Sequence, residues 1–495
     1  MKNTILISFF SAALLFSSNC KNNKPVPMSD IQVEPPSLTL KEGETGRFKA
    51  TAIPENASDK QILWKSDNEE VAIVSIVGTV TAVGEGTTTV TASSKDGAVS
   101  REMTVTVAKA TGEFPIVAWM GKNGEITRQM YKDMRDAGID YFIISWKPLG
   151  AGLEQQETIT EMDKAQECGL KMLFHVKGAD WFINDIEAGV RALKDHPGFG
   201  GYQMYDEPAE ALYPDIKAQI ESVRRTDKTH DCYVMINGDD DEANPNPEGF
   251  RNEVEKYAQE LPGDYLAYDN YPLRVQVGGA RRILNYWFDN LGIMADVAKS
   301  VGKPFRACVQ SSLYWDMIGV TLTDLRIQVY TYLAYGAQGI EYFTWFDYDD
   351  FVQLAPVNFP SGEKTYLYDN VKAMNSEIRT LSKVFWKATA LSVKHTGATI
   401  PRGTSRLETL PSNIESFETV GTGAVVSLME KENSVYWVIV NRDPNYSMTV
   451  NIKVKPGVQK ILKEDASSVP VGDEPQRETV APGDVLIYTW EKVEN

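Results

Sequence analysis

Eight apolar, strand-like runs begin near residues 115, 140, 171, 200, 231, 264, 303 and 339, with stretches of helical periodicity between them. Those stretches include ITRQMYKDMRDAG, TITEMDKAQECG and LTDLRIQVYTYLAYGA, and several end in the glycine that stops a helix. Strand alternating with helix demands crossover connections, so the strands run parallel and helices cover the sheet. Eight such units between Phe114 and about Lys387 match the count and size of a (β/α)8 barrel. A doubly wound sheet fits less well, because no Gly-rich phosphate loop follows the first strand.

A barrel fixes where chemistry can sit, namely at the C-terminal ends of its strands. Strand one ends in Trp119, and strand two in Trp146 and Lys147. Strand three offers His175 and Lys177. Strand four, GYQMYDEP, runs into Asp206 and Glu207, with Pro208 turning the chain. Strand five gives Asn237, followed by Asp239, Asp240 and Asp241. Strand six gives Tyr268, Asp269 and Tyr271. Strand seven gives Gln310, Ser311 and Trp315, and strand eight Trp345 and Asp347. Aromatics and carboxylates dominate this set. Flat apolar faces pack on sugar C–H groups while polar side chains bond hydroxyls, so the pattern suits a neutral polyhydroxylated ligand. A phosphorylated ligand would call for clustered Arg or Lys, or a Gly-rich loop.

The flanking segments read as β. From about residue 31 to 110, runs such as SLTL, QILWKS, TTTVTAS and REMTVTV alternate with turn residues, giving about seven short strands of an Ig-like sandwich centred on Trp64. After the barrel (111–387), the runs VVSLMEK, SVYWVIVNRD, MTVNIKV and DVLIYTW predict a C-terminal antiparallel β-sandwich over 388–495. Residues 1–20 carry Lys2, an apolar stretch from Ile5 to Phe16 and then Cys20, which is a targeting segment too short to span a bilayer. It resembles a bacterial lipoprotein signal, which implies lipidation at Cys20 and a lipid-anchored protein of the cell envelope. Residues 21–30 read as a tether. The net charge of −18 argues against nucleic acid and against direct docking on anionic lipid. Cys168, Cys232 and Cys308 are too widely spaced for a zinc site and, being odd in number, for a disulfide framework. No metal or organic cofactor is implied.

Two family resemblances follow from these motifs. The run ILWKSDNEEVAIVSIVGTVTAVGEGTTTVTA closely resembles the bacterial Ig-like group 2 family, whose members act as spacers or adhesion modules. The barrel resembles the clan A glycoside hydrolases, especially the β-galactosidase-like ones. That likeness rests on YDEP at strand four, YDNYP at strand six and GIEYFTWF at strand eight. It implies that Glu207 is the general acid/base. Adjacent strand residues point to opposite faces, so one of Asp206 and Glu207 is expected to face away. The chain departs from the clan at strand seven, where KPFRACVQSS has Gln310 in place of the nucleophilic glutamate.

Three routes around that departure remain open. Another carboxylate can serve, with Asp269 first and Asp347 and Glu242 behind it. The substrate can assist through an N-acetyl group that Asp269 or Asp206 orients. Or the barrel binds without turnover. Strands four and six stand ~9–10 Å apart backbone to backbone, which favours inversion unless side-chain reach closes the gap. The leading expectation is a glycosidase with Glu207, Asp269 and Asp206 as its catalytic carboxylates. Its expected partners are a carbohydrate substrate, the membrane through the lipid anchor, and other surface glycan-uptake proteins. A glycan-binding lipoprotein and an adhesin are the alternatives.

Overall fold

The computed structural model describes residues 25–41, 45–84, 86–108, 114–121, 124–144, 154–177, 179–239, 241, 243–276, 278–314, 319–347 and 351–492. Cys20, Trp146, Lys147, Asp240, Glu242 and Trp315 lie outside the described residues, as does the targeting segment. The chain divides into two compact units between residues 111 and 112.

The first unit is all β. One sheet orders Ser37–Lys41, Ser100–Ala108, Gly86–Ser94 and Ile62–Ser66, and a second holds three short strands. Gly86–Ser94 alternates buried and exposed positions, as a strand with one face on a core must. Val90, Ala92 and Val105 are fully buried there. The aromatic centre is Phe48, which is 1% exposed. Trp64 stacks on it at 6.1 Å but stays half-buried. The sequence expectation of a Trp64-centred core is therefore corrected, because the smaller ring fits the space between the sheets and the indole covers its edge.

In the second unit eight parallel strands close into a barrel. They are Ile116–Met120, Tyr141–Ile144, Lys171–His175, Phe199–Asp206, Cys232–Asn237, Leu266–Asp269, Phe305–Gln310 and Ile340–Phe343. Each begins within two residues of its sequence-based start. These strands are buried on both faces, so they read as continuous apolar runs. Ile116–Met120 is buried at all five positions. Outward side chains, such as Ile116, Phe142, Phe174 and Val234, join the covering helices in the main core. Inward ones, such as Val117, Ile143, Leu173, Met235 and Ala267, fill the barrel interior. The helix Arg128–Asp136 stops at Gly138, whose φ of +85° suits the left-handed residue that closes a helix.

The C-terminal segment forms a six-stranded antiparallel sheet and a three-stranded one. They face each other around Trp437, Ile439, Val450 and Ile452. The outer face of the larger sheet supplies Val425, Met429, Val438, Val440 and Ile487 to the same core as the barrel helices. Barrel and sandwich thus share one continuous hydrophobic interior, which is why they form a single compact unit.

Candidate active site

Strand four decides the geometry of the site. It pairs with strand three as Leu173↔Gly201 and His175↔Gln203, and with strand five as Gln203↔Tyr233, Tyr205↔Val234 and Asp206↔Met235. The last three pairings skip Met204, so a β-bulge sits there. Gln203 lies beside Tyr233 in the barrel interior, whereas Met204 and Tyr205 both turn to the outer core. The extra residue reverses the alternation, and Asp206 returns to the inward side, level with Met235. Bulges near active sites re-aim side chains in this way.

Glu207 follows the strand in the left-handed region, with φ +48°. Its N–H donates to the Met235 carbonyl at 2.8 Å, which ties the turn to strand five. Strict alternation ends where the strand ends, so the expectation that one of Asp206 and Glu207 faces away is not met. Both carboxylates act on Asp269 at the end of strand six.

Asp269 is 9% exposed. Burial raises its carboxyl well above the usual range, and the charges of Glu207 and Asp206 raise it further, against a hydrogen bond from Tyr271 that lowers it. A hydrogen bond with Glu207 raises it as well. The two-strand gap expected from backbone spacing is therefore closed by the side chains. Burial and the adjacent Glu207 push Asp206 up to about 7, while Lys177 pulls it down. The Lys177 ammonium sits 4.3 Å above the Tyr205 ring. At neutral pH this cluster holds at least one proton among three carboxyl groups, the condition for general acid chemistry.

Around the cluster, His175 faces Gln203 through Nδ1 and packs edge-on to Trp119 at 5.9 Å. Burial lowers the imidazole to about 4, so it is neutral. Trp119 is 6% exposed and its Nε1 donates to Glu341 at 3.2 Å, which fixes the indole inside the barrel. Tyr271 stands half-buried beside Phe343 (5.8 Å), and its hydroxyl meets the Cys308 Sγ at 3.3 Å. Asn237 is exposed at the end of strand five, in register with Asp269.

Other sequence-based site residues are not at the mouth. Tyr268 is fully buried on the outer side of strand six, edge-on to Tyr332 at 6.3 Å. Trp345 is fully buried against Tyr368 at 5.8 Å. Both belong to the core that the barrel shares with its helices. Gln310 is fully buried, with Nε2 donating to the Ser312 carbonyl at 3.1 Å and its own N–H bonded to Gln328. It is built into the turn after strand seven. Asp347 accepts the Phe359 N–H and braces a loop. Asp239 accepts the Asn246 N–H at 2.7 Å, a turn-holding role.

Sequence reading passed over Glu341 and Gln203, the interior polar residues below the mouth. The available signal was a charged or amide side chain inside an otherwise apolar strand. A cavity of about 860 Å³ lies at the opposite end of the barrel, lined by Asp264, Pro304, Arg306 and the edge strand Thr389–His395. It contains none of the three carboxylates.

Comparison with solved structures finds a provisionally assigned α-galactosidase of Bacteroides fragilis. It has a TM-score of 0.48 and 11% identity, with 95% of this chain and 99% of that one covered. A second provisional α-galactosidase/melibiase of that organism scores 0.45 at 12% identity, covering 94% and 98%. These identities carry no activity across to this chain. Among characterised proteins, an α-L-arabinofuranosidase of Bifidobacterium longum is 42% identical over 82 residues, 17% of this chain and 8% of that protein. A κ-carrageenase of Pseudoalteromonas carrageenovora is 29% identical over 85 residues, 17% and 21%. The chain thus spans no more than about a fifth of these two relatives, in stretches the length of one Ig-like domain. Residues 27–121 match the bacterial Ig-like domain (group 2), and the N-terminal unit is such a domain.

Proposed function

We propose that the barrel is a glycoside hydrolase whose reacting carboxyl groups come from strands four and six. The observation that carries this reading is the contact between Glu207 and Asp269 at the C-terminal mouth of a closed parallel barrel, with Asp206 beside them. A glycosidic oxygen leaves only when protonated, so one carboxyl must arrive with its proton while a second is ionised. Asp269 is the more buried and is raised by both neighbours, so it keeps the proton and acts as the acid. Glu207 is exposed at the mouth and serves as nucleophile or base. These roles exchange those expected from the strand-four motif, because burial favours the neutral form at strand six. Gln310 has no part in the bond cleavage in this reading.

A retaining pair stands roughly 5–5.5 Å apart and an inverting pair roughly 6.5–9.5 Å, so the stereochemistry of the product reports the working separation. The experiment is turnover of aryl glycosides and polysaccharides, followed by the anomeric configuration of the first product. Binding without turnover would leave a glycan-binding barrel instead. The N-terminal segment supports a cell-envelope location with lipid at Cys20 and the Ig-like domain as spacer. Detergent partitioning of wild type against Cys20→Ala tests this, and wild-type protein free in the aqueous phase would reduce the segment to a secretory signal.

A further inference from the structure

We propose that the cavity at the foot of the barrel, between the starts of strands six and seven and the edge strand Thr389–His395, is a second saccharide site. It takes an acidic oligosaccharide and holds the carboxylates or sulfate esters of that ligand with lysine side chains. The anionic character is read from the lining, and the saccharide class rests on the glycosidase reading of the barrel. The cavity measures about 860 Å³, within the range of ordinary ligand pockets. Lys299, Lys303, Lys387 and Lys394 all line it. Among the described residues, Lys303, Lys387 and Lys394 have no ion pair and no side-chain hydrogen bond, and Lys299 reaches only the Ala390 carbonyl, at 3.3 Å. Three carboxylates also line the cavity, but they are engaged. Asp231 pairs with Arg306 at 3.4 Å, Asp296 with Arg251 at 3.4 Å and Asp264 with Arg224, and those last two arginines do not line the cavity. On a chain of net charge −18 carboxylates are plentiful. A concave surface that leaves four lysines without one concentrates a positive field suited to an anion.

Local structure holds these charges at the cavity at some cost. Lys387 follows the helix Tyr366–Phe385 with φ +62°, the left-handed position that glycine usually fills. Its N–H donates to Gln338 at 2.7 Å, and its ammonium lies 5.8 Å from the centre of the half-buried Trp386 ring. Glycine would make the same turn without strain, so the turn itself does not call for lysine. Lys303 is half-buried, and burial lowers its ammonium more than nearby Asp264 raises it. A bound anion offsets that penalty. Trp386 lines the same cavity, as do Thr389, Ser392 and Ser405. An indole for sugar C–H faces, hydroxyls for hydroxyls and ammoniums for acid groups together match an acidic sugar. An extended peptide fits less well. Thr389–His395 is the outer strand of its sheet, but Lys299 already holds the Ala390 carbonyl and the His395 N–H already donates to Ser405 at 2.8 Å. Little free ladder remains for a peptide to pair with.

The test is calorimetric titration of the full chain with two acidic probes, an oligogalacturonate and a sulfated galactan oligosaccharide. A neutral galactan oligosaccharide, polyglutamate and inorganic sulfate are the controls. At least one acidic probe should bind, which one telling carboxylate from sulfate ester, and binding should weaken as salt rises. Lys387→Gly removes one ammonium and relaxes the turn, so lost binding in it is not lost folding. Lys394→Gln removes a second ammonium. Each variant should bind the acidic probe about tenfold more weakly, the effect of one charge-assisted hydrogen bond, and should turn over aryl glycosides like wild type. The proposal is overturned if neither acidic probe binds or if both lysine variants bind as wild type does. It is overturned equally if the neutral probe, polyglutamate or sulfate binds as tightly as the acidic saccharides. If wild type turns over no glycoside, the glycosidase reading fails, and acidic-probe binding that the lysine variants lose still supports the cavity site.

Discussion

Glu207 and Asp269 are joined by a hydrogen bond although they close strands four and six, with strand five between them. Two features make this possible. The bulge at Met204 resets the facing of strand four. Glu207 then follows the strand in the left-handed region, outside the strand's alternation, and reaches Asp269. The charge of Glu207 so close by raises the Asp269 carboxyl beyond what burial alone does.

The first prediction separates the two roles. Asp269→Asn should lower kcat by 10²-fold or more on substrates with poor leaving groups and much less on activated aryl glycosides, the behaviour of a lost general acid. Glu207→Gln should depress both classes, since its charge is needed whatever the leaving group. The reverse pattern would return the acid role to Glu207. Equal activity of both variants with wild type would remove the pair from the mechanism.

Backbone strain at Glu207 gives a second prediction. A side chain in the left-handed region costs about 1–2 kcal/mol that glycine escapes. Glu207→Ala keeps the Cβ and loses the charge, while Glu207→Gly loses both. Both should be inactive. Glu207→Gly should be the more stable of the two by about 1 kcal/mol in chemical denaturation, a difference that glycine's greater freedom in the unfolded chain partly offsets. An alanine variant more stable than the glycine one would show that the turn carries no strain.

These two tests concern features of unequal legibility in the sequence. The eight strand starts were readable because buried parallel strands are continuous apolar runs, and the carboxylates at 206, 207 and 269 followed from barrel topology. The bulge was not readable, because no residue type marks Met204 as the extra position. Without it, alternation puts Tyr205 inward and sends Asp206 out. Trp345 and Tyr268 were misplaced for a related reason. An aromatic at a strand end looks the same in sequence whether it faces the mouth or the helices. Glu341 was visible as a charge in the apolar run GIEYF, but nothing in the sequence shows that Trp119 and Tyr233 converge on it.

Trp345 and Tyr271 therefore make a matched pair for mutation. Trp345→Phe should cost about 1–2 kcal/mol of stability, since a fully buried indole leaves a cavity against Tyr368. Its KM should stay within about twofold of wild type, an ordinary effect for a residue outside the site. Tyr271→Phe should show the opposite balance. It keeps the ring and removes the hydroxyl that bonds Asp269, so the melting temperature should hold while the kcat/KM profile moves to higher pH. A large KM change in Trp345→Phe would place that indole at the ligand after all.

Asp206 offers a prediction on stability and pH. Its carboxyl is raised from 3.8 to about 7 in the folded protein, mainly by burial and then by Glu207. As pH rises above about 4 the unfolded chain releases this proton while the folded protein holds it. Folding thus carries a penalty that grows until the folded carboxyl also ionises near 7. Asp206→Asn cannot ionise and escapes that penalty. Relative to wild type, the variant should be indifferent at pH 4 and more stable at pH 8 by up to about 4 kcal/mol, or several degrees in melting temperature. Some slope will persist in the variant, because Asp269 is raised in the same direction and remains. Thermal melts of both proteins across pH 4 to 8 give the answer. Parallel curves would mean that Asp206 is solvated like an ordinary surface carboxylate, and the bulge would then not have turned it into the barrel.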